Sequence, residues 1–147
     1  MRLVIDASTV VAEGLRDRGR ELLARDDLDI TIAVEAWAEA EHELRKRVAT
    51  IVQRASERGE EVNQLNDRVN SVGRLLKVSP RPPPAEMWEE ARWRIPQDPR
   101  DIPTVALALW LDCGIWTFDR DFFGCGLPVW STEVLQSYVD RVPRNRR

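Results

Sequence analysis

The stretch from Asp98 to Phe123, DPRDIPTVALALWLDCGIWTFDRDFF, constrains the fold more than any other part of the chain. Asp98 and Asp101 precede a dense apolar run from Val105 to Leu111, which predicts a helix opened by Asp101. A shorter apolar segment, Ile115 to Phe118, then stops at two carboxylates, Asp119 and Asp121, and predicts a strand. A helix–strand unit of this kind carries an acid at each end. In a parallel sheet those two ends can meet at one edge.

The rest of the chain supplies partners for such a sheet. Arg2 to Ile5 predicts a buried first strand ending at Asp6. Ala7-Ser8-Thr9 leads into one helical pattern that runs from Val10 past Gly14 to Leu23, with Ser8 as its expected N-cap. Leu28 to Ala33, rich in β-branched residues, predicts the second strand. A long helix is expected from Val34 to about Arg58, with Trp37, Leu44, Val48, Ile51, Val52 and Ala55 on one stripe. Glu39 and Glu43 lie off that stripe, one turn apart, and Glu41 lies close to it.

A further helix is expected from Glu60 to Leu76, resting on Val62, Leu65, Val69, Val72 and Leu76. Leu76 to Val78 predicts a short third strand, and Pro80 to Pro84 a stiff connector. Ala85 to Ile95 predicts a tryptophan-bearing helix, Leu127 to Trp130 a fifth strand, and Ser131 or Thr132 the cap of a last helix through Val139. Parallel strands need crossover connections. The pattern therefore predicts an α/β fold, a three-layer α/β/α sandwich around a central, mostly parallel five-stranded sheet. Residues 1–140 are expected to form a single domain and 141–147 a basic tail.

Composition narrows the chemistry. No apolar run approaches the roughly 18–20 residues that span a bilayer, and the chain begins directly on a strand, so a cytoplasmic protein without membrane attachment is expected. The two cysteines, Cys113 and Cys125, lack metal-ligand spacing, and the single histidine, His42, argues against a zinc site or a Ser–His–Asp triad. A net charge of -3 gives no global pull toward nucleic acid. The basic residues are nevertheless mostly Arg, clustered at Arg45–Arg47, Arg92–Arg94 and Arg141–Arg147, and Arg suits bidentate phosphate contacts.

In open α/β sheets, sites lie outside the carboxyl ends of the strands. Asp6 and Asp119 each follow a strand directly, the loop toward Glu39 follows another, and Asp101 heads a helix that should point at the same edge. Like charges brought close raise one another's pKa or demand a cation. An all-carboxylate set suits Mg²⁺ or Mn²⁺. A metal there can lower the pKa of a water and stabilise the leaving oxygen of a phosphodiester, without help from His, Cys or Lys. Taken singly, each acid has an ordinary structural role. Asp101 can be a helix cap, Asp119 and Asp121 solvated loop acids, and Glu39 and Glu43 partners of nearby Arg side chains. Asp6 is the hardest to dismiss, because a carboxylate directly after a buried strand needs partners.

In these residues the chain resembles the PIN domain family, metal-dependent nucleases that include the VapC toxins of toxin–antitoxin pairs. The resemblance rests on VIDAS at Val4 to Ser8, on AWAEAEHEL in the long helix, on DIPTVALAL from Asp101, and on TFDRDF from Thr117 to Phe122. It implies that Asp6, Glu39, Asp101 and Asp119 ligate Mg²⁺ or Mn²⁺, with Asp121 as a further ligand and Ser8 and Thr117 supporting. Glu39 is the first choice for the helix acid and Glu43 the second. The implied activity is endoribonuclease, with RNA as substrate, an antitoxin protein as a partner if the chain is a toxin, and a homodimer by analogy. Two other classes compete with it. One is a PIN-fold module that binds RNA or protein without turnover. The other is a small phosphatase, against which Ser8 counts, since those enzymes often carry a second Asp at that position.

Overall fold

The computed structural model of the chain describes residues 1–58 and 63–142. Its strands are β1 (Arg2–Ile5), β2 (Asp29–Ile32), β3 (Lys77–Val78), β4 (Gly114–Trp116) and β5 (Val129–Trp130). Its helices are α1 (Ala7–Gly14), α2 (Asp17–Leu23), α3 (Val34–Glu57), α4 (Asn63–Leu75), α5 (Ala85–Arg94), α6 (Ile102–Trp110) and α7 (Thr132–Arg141). The sheet has the order β3-β2-β1-β4-β5 and every pairing is parallel. The chain thus builds outward from β1 through β2 to β3, then crosses back to lay β4 and β5 on the other side of β1. That reversal puts a crevice between the carboxyl ends of β1 and β4.

The core explains the apolar patterns. Leu3, Val4 and Ile5 of β1 and Ile115 and Trp116 of β4 have no exposed surface, as expected of central strands covered on both faces. In α6 every residue from Pro103 to Ala108 is buried, so the helix reads as apolar all round. It stops through two bonds, Asp112 N–H to the Leu109 carbonyl and Cys113 N–H to the Ala108 carbonyl, with Asp112 in the left-handed region (φ 49°). This is a Schellman ending in which Asp fills a place more often held by Gly or Asn. It turns the chain directly into β4. Gly114 then admits β5: a Cβ there would lie 2.9 Å from the Pro128 carbonyl oxygen.

Three expectations need correction. The helical pattern from Val10 to Leu23 is broken into α1 and α2, because Arg16 is extended (φ -101°, ψ 142°) and Gly19 packs onto the Glu13 backbone. Ser8 is not the N-cap. Asp6 holds that position, and Ser8, inside the first turn, donates its hydroxyl to the Asp6 carboxylate. The fourth strand ends at Trp116, although the Thr117 N–H still reaches the Trp130 carbonyl at 3.0 Å before the chain turns away. Positions 60–62 of the expected Glu60–Leu76 helix, including Val62, lie outside the described residues, as does the side chain of Leu65. Of the expected basic tail, Arg141 closes α7, and 143–147 also lie outside them.

Candidate metal centre

Asp6 is the first residue after β1 and is 4% exposed. Its N–H donates to the Trp116 carbonyl at 3.2 Å, which ties together the ends of β1 and β4. Two hydroxyls flank its carboxylate. Ser8 donates to Oδ2, and the Thr117 Oγ1 lies 3.5 Å from the same oxygen. Burial pushes the Asp6 carboxyl above its ordinary value, the Ser8 hydroxyl opposes that rise, and the Asp119 charge adds to it. The Thr117 hydroxyl also accepts the Asp119 N–H at 3.0 Å, so one buried side chain positions both acids.

Asp119 accepts the Asp121 N–H at 2.9 Å and caps a single 3-10 turn, Arg120–Phe122. The buried ring of Phe122 anchors that turn to the core. Asp101 stands at the head of α6 with helical backbone angles, and its carboxylate makes no capping bond. The side chain is therefore free to face the edge. Asp101 is only 8% exposed, and its Oδ2 is buried without a hydrogen-bond partner. Oxygens of Asp101, Asp119 and Asp121 lie within 4.8 Å of one another. Burial, followed by the charges of Asp6, Asp98, Asp119 and Asp121, pushes the Asp101 carboxyl up to about 7.

The fourth expected corner is less closely joined. Glu39 is exposed on α3 and lines a cleft that also takes in Ser8 and Phe118. It is not in the close group of three oxygens. Its neighbours on the helix are already engaged: Glu41 accepts from Arg45 at 2.7 Å, and Glu43 from Arg47 at 3.4 Å. Glu39 has no such bond among the described residues. The structure therefore brings together Asp6, Asp101, Asp119 and Asp121 with Ser8 and Thr117, and sets Glu39 at the side of this group. Glu43 lies one turn further along.

Arg100, absent from the sequence-based site, is exposed beside it, near enough for the charges of Glu39 and Asp101 to act on it. Its guanidinium is held by Asp98 at 2.7 Å, and that bond, with the charges of Asp98 and then Glu39, raises its pKa. Its signal in the sequence is its place in Asp98-Pro99-Arg100-Asp101, directly beside a candidate ligand. Asp98 itself is a turn residue that also accepts the Arg100 N–H at 2.9 Å.

A profile of the PIN domain family matches residues 4–140, a span that contains every acid described above. The chain belongs to the PIN domain family. PAE2754 from Pyrobaculum aerophilum, a solved structure, superposes with a TM-score of 0.67 at 18% identity, over 95% of this chain and 96% of that one. FitAcB from Neisseria gonorrhoeae does so with a TM-score of 0.52 at 17% identity, over 90% of this chain and 99% of that one. At these identities both are likenesses of fold. No curated protein sequence matches the chain.

PIN domains are generally nucleases and typically use divalent metals. The residues of this PIN domain fit such an ion. The donors are all carboxylate oxygens, the preference of hard divalent cations, and the buried Asp101 oxygen has no partner of its own. No helix among the described residues is long and apolar enough to cross a membrane.

Proposed function

We propose that this PIN domain is a cytoplasmic endoribonuclease dependent on Mg²⁺ or Mn²⁺, with Asp6, Glu39, Asp101 and Asp119 as its catalytic acids and Asp121 as a further ligand. The observation that carries this reading is Asp101, whose carboxylate has a buried, unpartnered oxygen and comes within 4.8 Å of the carboxylates of Asp119 and Asp121. A group with that surplus of negative charge at low exposure calls for a cation.

When bound, the ion would supply Lewis acidity to a phosphodiester and lower the pKa of a water. The chain's own residues do the rest. Ser8 holds Asp6 by its hydroxyl, and Thr117 fixes Asp119 through the backbone. Phe122 keeps the Asp119–Asp121 turn seated. Arg100, held by Asp98, offers a planar cation to a backbone phosphate beside the site. Glu39, left free by its neighbours, closes the open side, and Glu43, bound to Arg47, does not.

Cleavage of mixed RNA substrates in Mg²⁺ or Mn²⁺ tests the reading. Asp6→Asn and Asp101→Asn are each expected to lose about a hundredfold in rate or more, which is the scale on which disturbing a metal site is felt. Glu39→Gln should fall with them, while Glu43→Gln should cut RNA like the wild type. Equal cleavage by wild type, Asp6→Asn and Asp101→Asn would trace the activity to a contaminant and end the proposal.

The same reading makes the chain the toxin of a toxin–antitoxin pair, checked by a small antitoxin protein. A gene with no small reading frame beside it would instead encode a solitary nuclease. It also takes the chain as a homodimer. Val134, Tyr138 and Val142 are exposed at successive turns of α7 and just beyond it, which supplies an apolar stripe for a second copy. Sedimentation would then give about twice the 16.9 kDa of one chain.

A further inference from the structure

We infer that the cleft beside the acidic edge is a nucleobase subsite, in which one base stacks against Phe118. That the base belongs to RNA rests on the nuclease reading above, while the subsite rests on its own geometry. The cleft has a volume of about 530 Å³, within the range of small-molecule sites. Its floor is apolar, formed by Val11 and Ala12 of α1 and Ala40 of α3. Phe118 forms a wall and is 52% exposed, although Trp116 and Thr117 just before it are buried almost completely. An aromatic ring left in water directly beside buried neighbours, and on the wall of a cleft, has an open face to offer.

The cleft joins the acidic edge at two points. Phe118 immediately precedes Asp119, and Ser8, which also lines the cleft, donates its hydroxyl to Asp6. A nucleotide whose phosphate lies at the acids therefore has its own base, or the next one, within reach of the Phe118 ring. The rim is polar. Glu39 and His42 line it, and Glu43 and Arg47 are present there as an ion pair with each other. Stacking on an aromatic ring with the base edge read by side chains is how unpaired RNA is recognised, and a duplex keeps both the face and the edge hidden.

The test uses a ligand that cannot be cut, 2-aminopurine ribonucleoside 5′-monophosphate, titrated into the protein in Mg²⁺ with fluorescence as the readout. Stacking is expected to quench the 2-aminopurine in the wild type and in Phe118→Tyr. Phe118→Leu should bind about tenfold more weakly. The side chain is half exposed, so these variants should fold, and matching thermal unfolding curves would establish that they do. In parallel, each protein is given the same RNA as a single strand and as a duplex, and Phe118→Leu should raise KM for the single strand by a similar factor while leaving kcat nearly unchanged. No quench in the wild type, or equal quench in Phe118→Leu, overturns the subsite whether or not RNA is cut. A Phe118-dependent quench in a protein that cuts no RNA keeps the subsite and removes the nuclease reading.

Discussion

Asp101 carries the largest electrostatic tension at the scale of a single residue. In the metal-free protein its carboxyl stays protonated up to about pH 7, held there first by burial and then by four neighbouring carboxylates. In the unfolded chain it releases its proton near the ordinary value of 3.8. Between those two values the native state binds more protons than the unfolded one, so stability falls as pH rises. Asp101→Asn removes the charge that must be forced on at high pH. Without metal, the variant should be more stable than wild type by ~2 kcal/mol at pH 8 and nearly equal to it at pH 4, a figure kept below the full linkage value because the site opens to water. Urea unfolding in EDTA at both pH values measures this. On the proposed function Asn in place of Asp101 also removes a ligand, so millimolar Mg²⁺ should reverse the order at pH 8. A wild type as stable as Asp101→Asn at pH 8 in EDTA would mean that the site stores no such repulsion.

Between elements, a third buried acid does structural work away from the acidic edge. Glu13 of α1 accepts from the Thr132 hydroxyl at 3.1 Å, and that hydroxyl accepts from the Trp116 indole at 3.0 Å, so one chain of bonds joins α1, α7 and β4. Thr132→Val keeps the shape and strands the indole N–H, while Glu13 Oε1 keeps Arg16 at 3.3 Å. It should cost ~2 kcal/mol in urea unfolding, with Thr132→Ser costing much less. Gly19→Ala should cost ~3 kcal/mol as well, since the new methyl would sit 2.2 Å from the Glu13 carbonyl oxygen and the two helices would have to part. Neither feature could be read from the pattern of the sequence. Glu13 looks like any helical acid until α2 and α7 close over it, and the helix break at Arg16 follows from a close approach that only the tertiary fold creates. Ser8 misled for a local reason. A local rule made it a cap, and the nearby carboxylate of Asp6 took its hydroxyl instead. β1, β4 and β5 were legible as short apolar runs ending at a polar residue and β2 by its β-branched residues, although β2, β3, β4 and β5 are each shorter than the runs that predicted them. Which of Glu39, Glu41 and Glu43 stays unpaired on its helix had a signal in plain view. Arg45 and Arg47 stand four residues after Glu41 and Glu43, at the spacing that pairs side chains on a helix, and Glu39 has no basic residue at that spacing.

At the scale of the whole molecule, the sheet order explains why folding gathers so much like charge in one place. Asp6 comes from the end of β1, Asp119 and Asp121 from just beyond β4, and Asp101 from the head of the helix that leads into β4. These positions are separated by up to most of the chain and meet only because β4 returns to lie against β1. The unfolded chain feels little of that repulsion and holds no assembled site, so a divalent ion held as proposed would bind the native state almost alone. Binding of that kind is stability, worth ~2.7 kcal/mol when the free ion is at about 100 times its dissociation constant. For a domain of this size, thermal unfolding should then rise by roughly 5–10 °C. NaCl at matched ionic strength screens charge without bridging carboxylates, and should give only a small part of that rise. Asp119→Asn should lose most of the Mg²⁺-dependent rise, while Glu43→Gln, whose parent acid is already paired with Arg47, should keep it. Scanning calorimetry of the three proteins with Mg²⁺, Mn²⁺ and NaCl separates the cases. Equal rises from Mg²⁺ and NaCl in the wild type would reduce the acidic edge to a screened surface, and the Asp101 oxygen would then need some partner other than a metal.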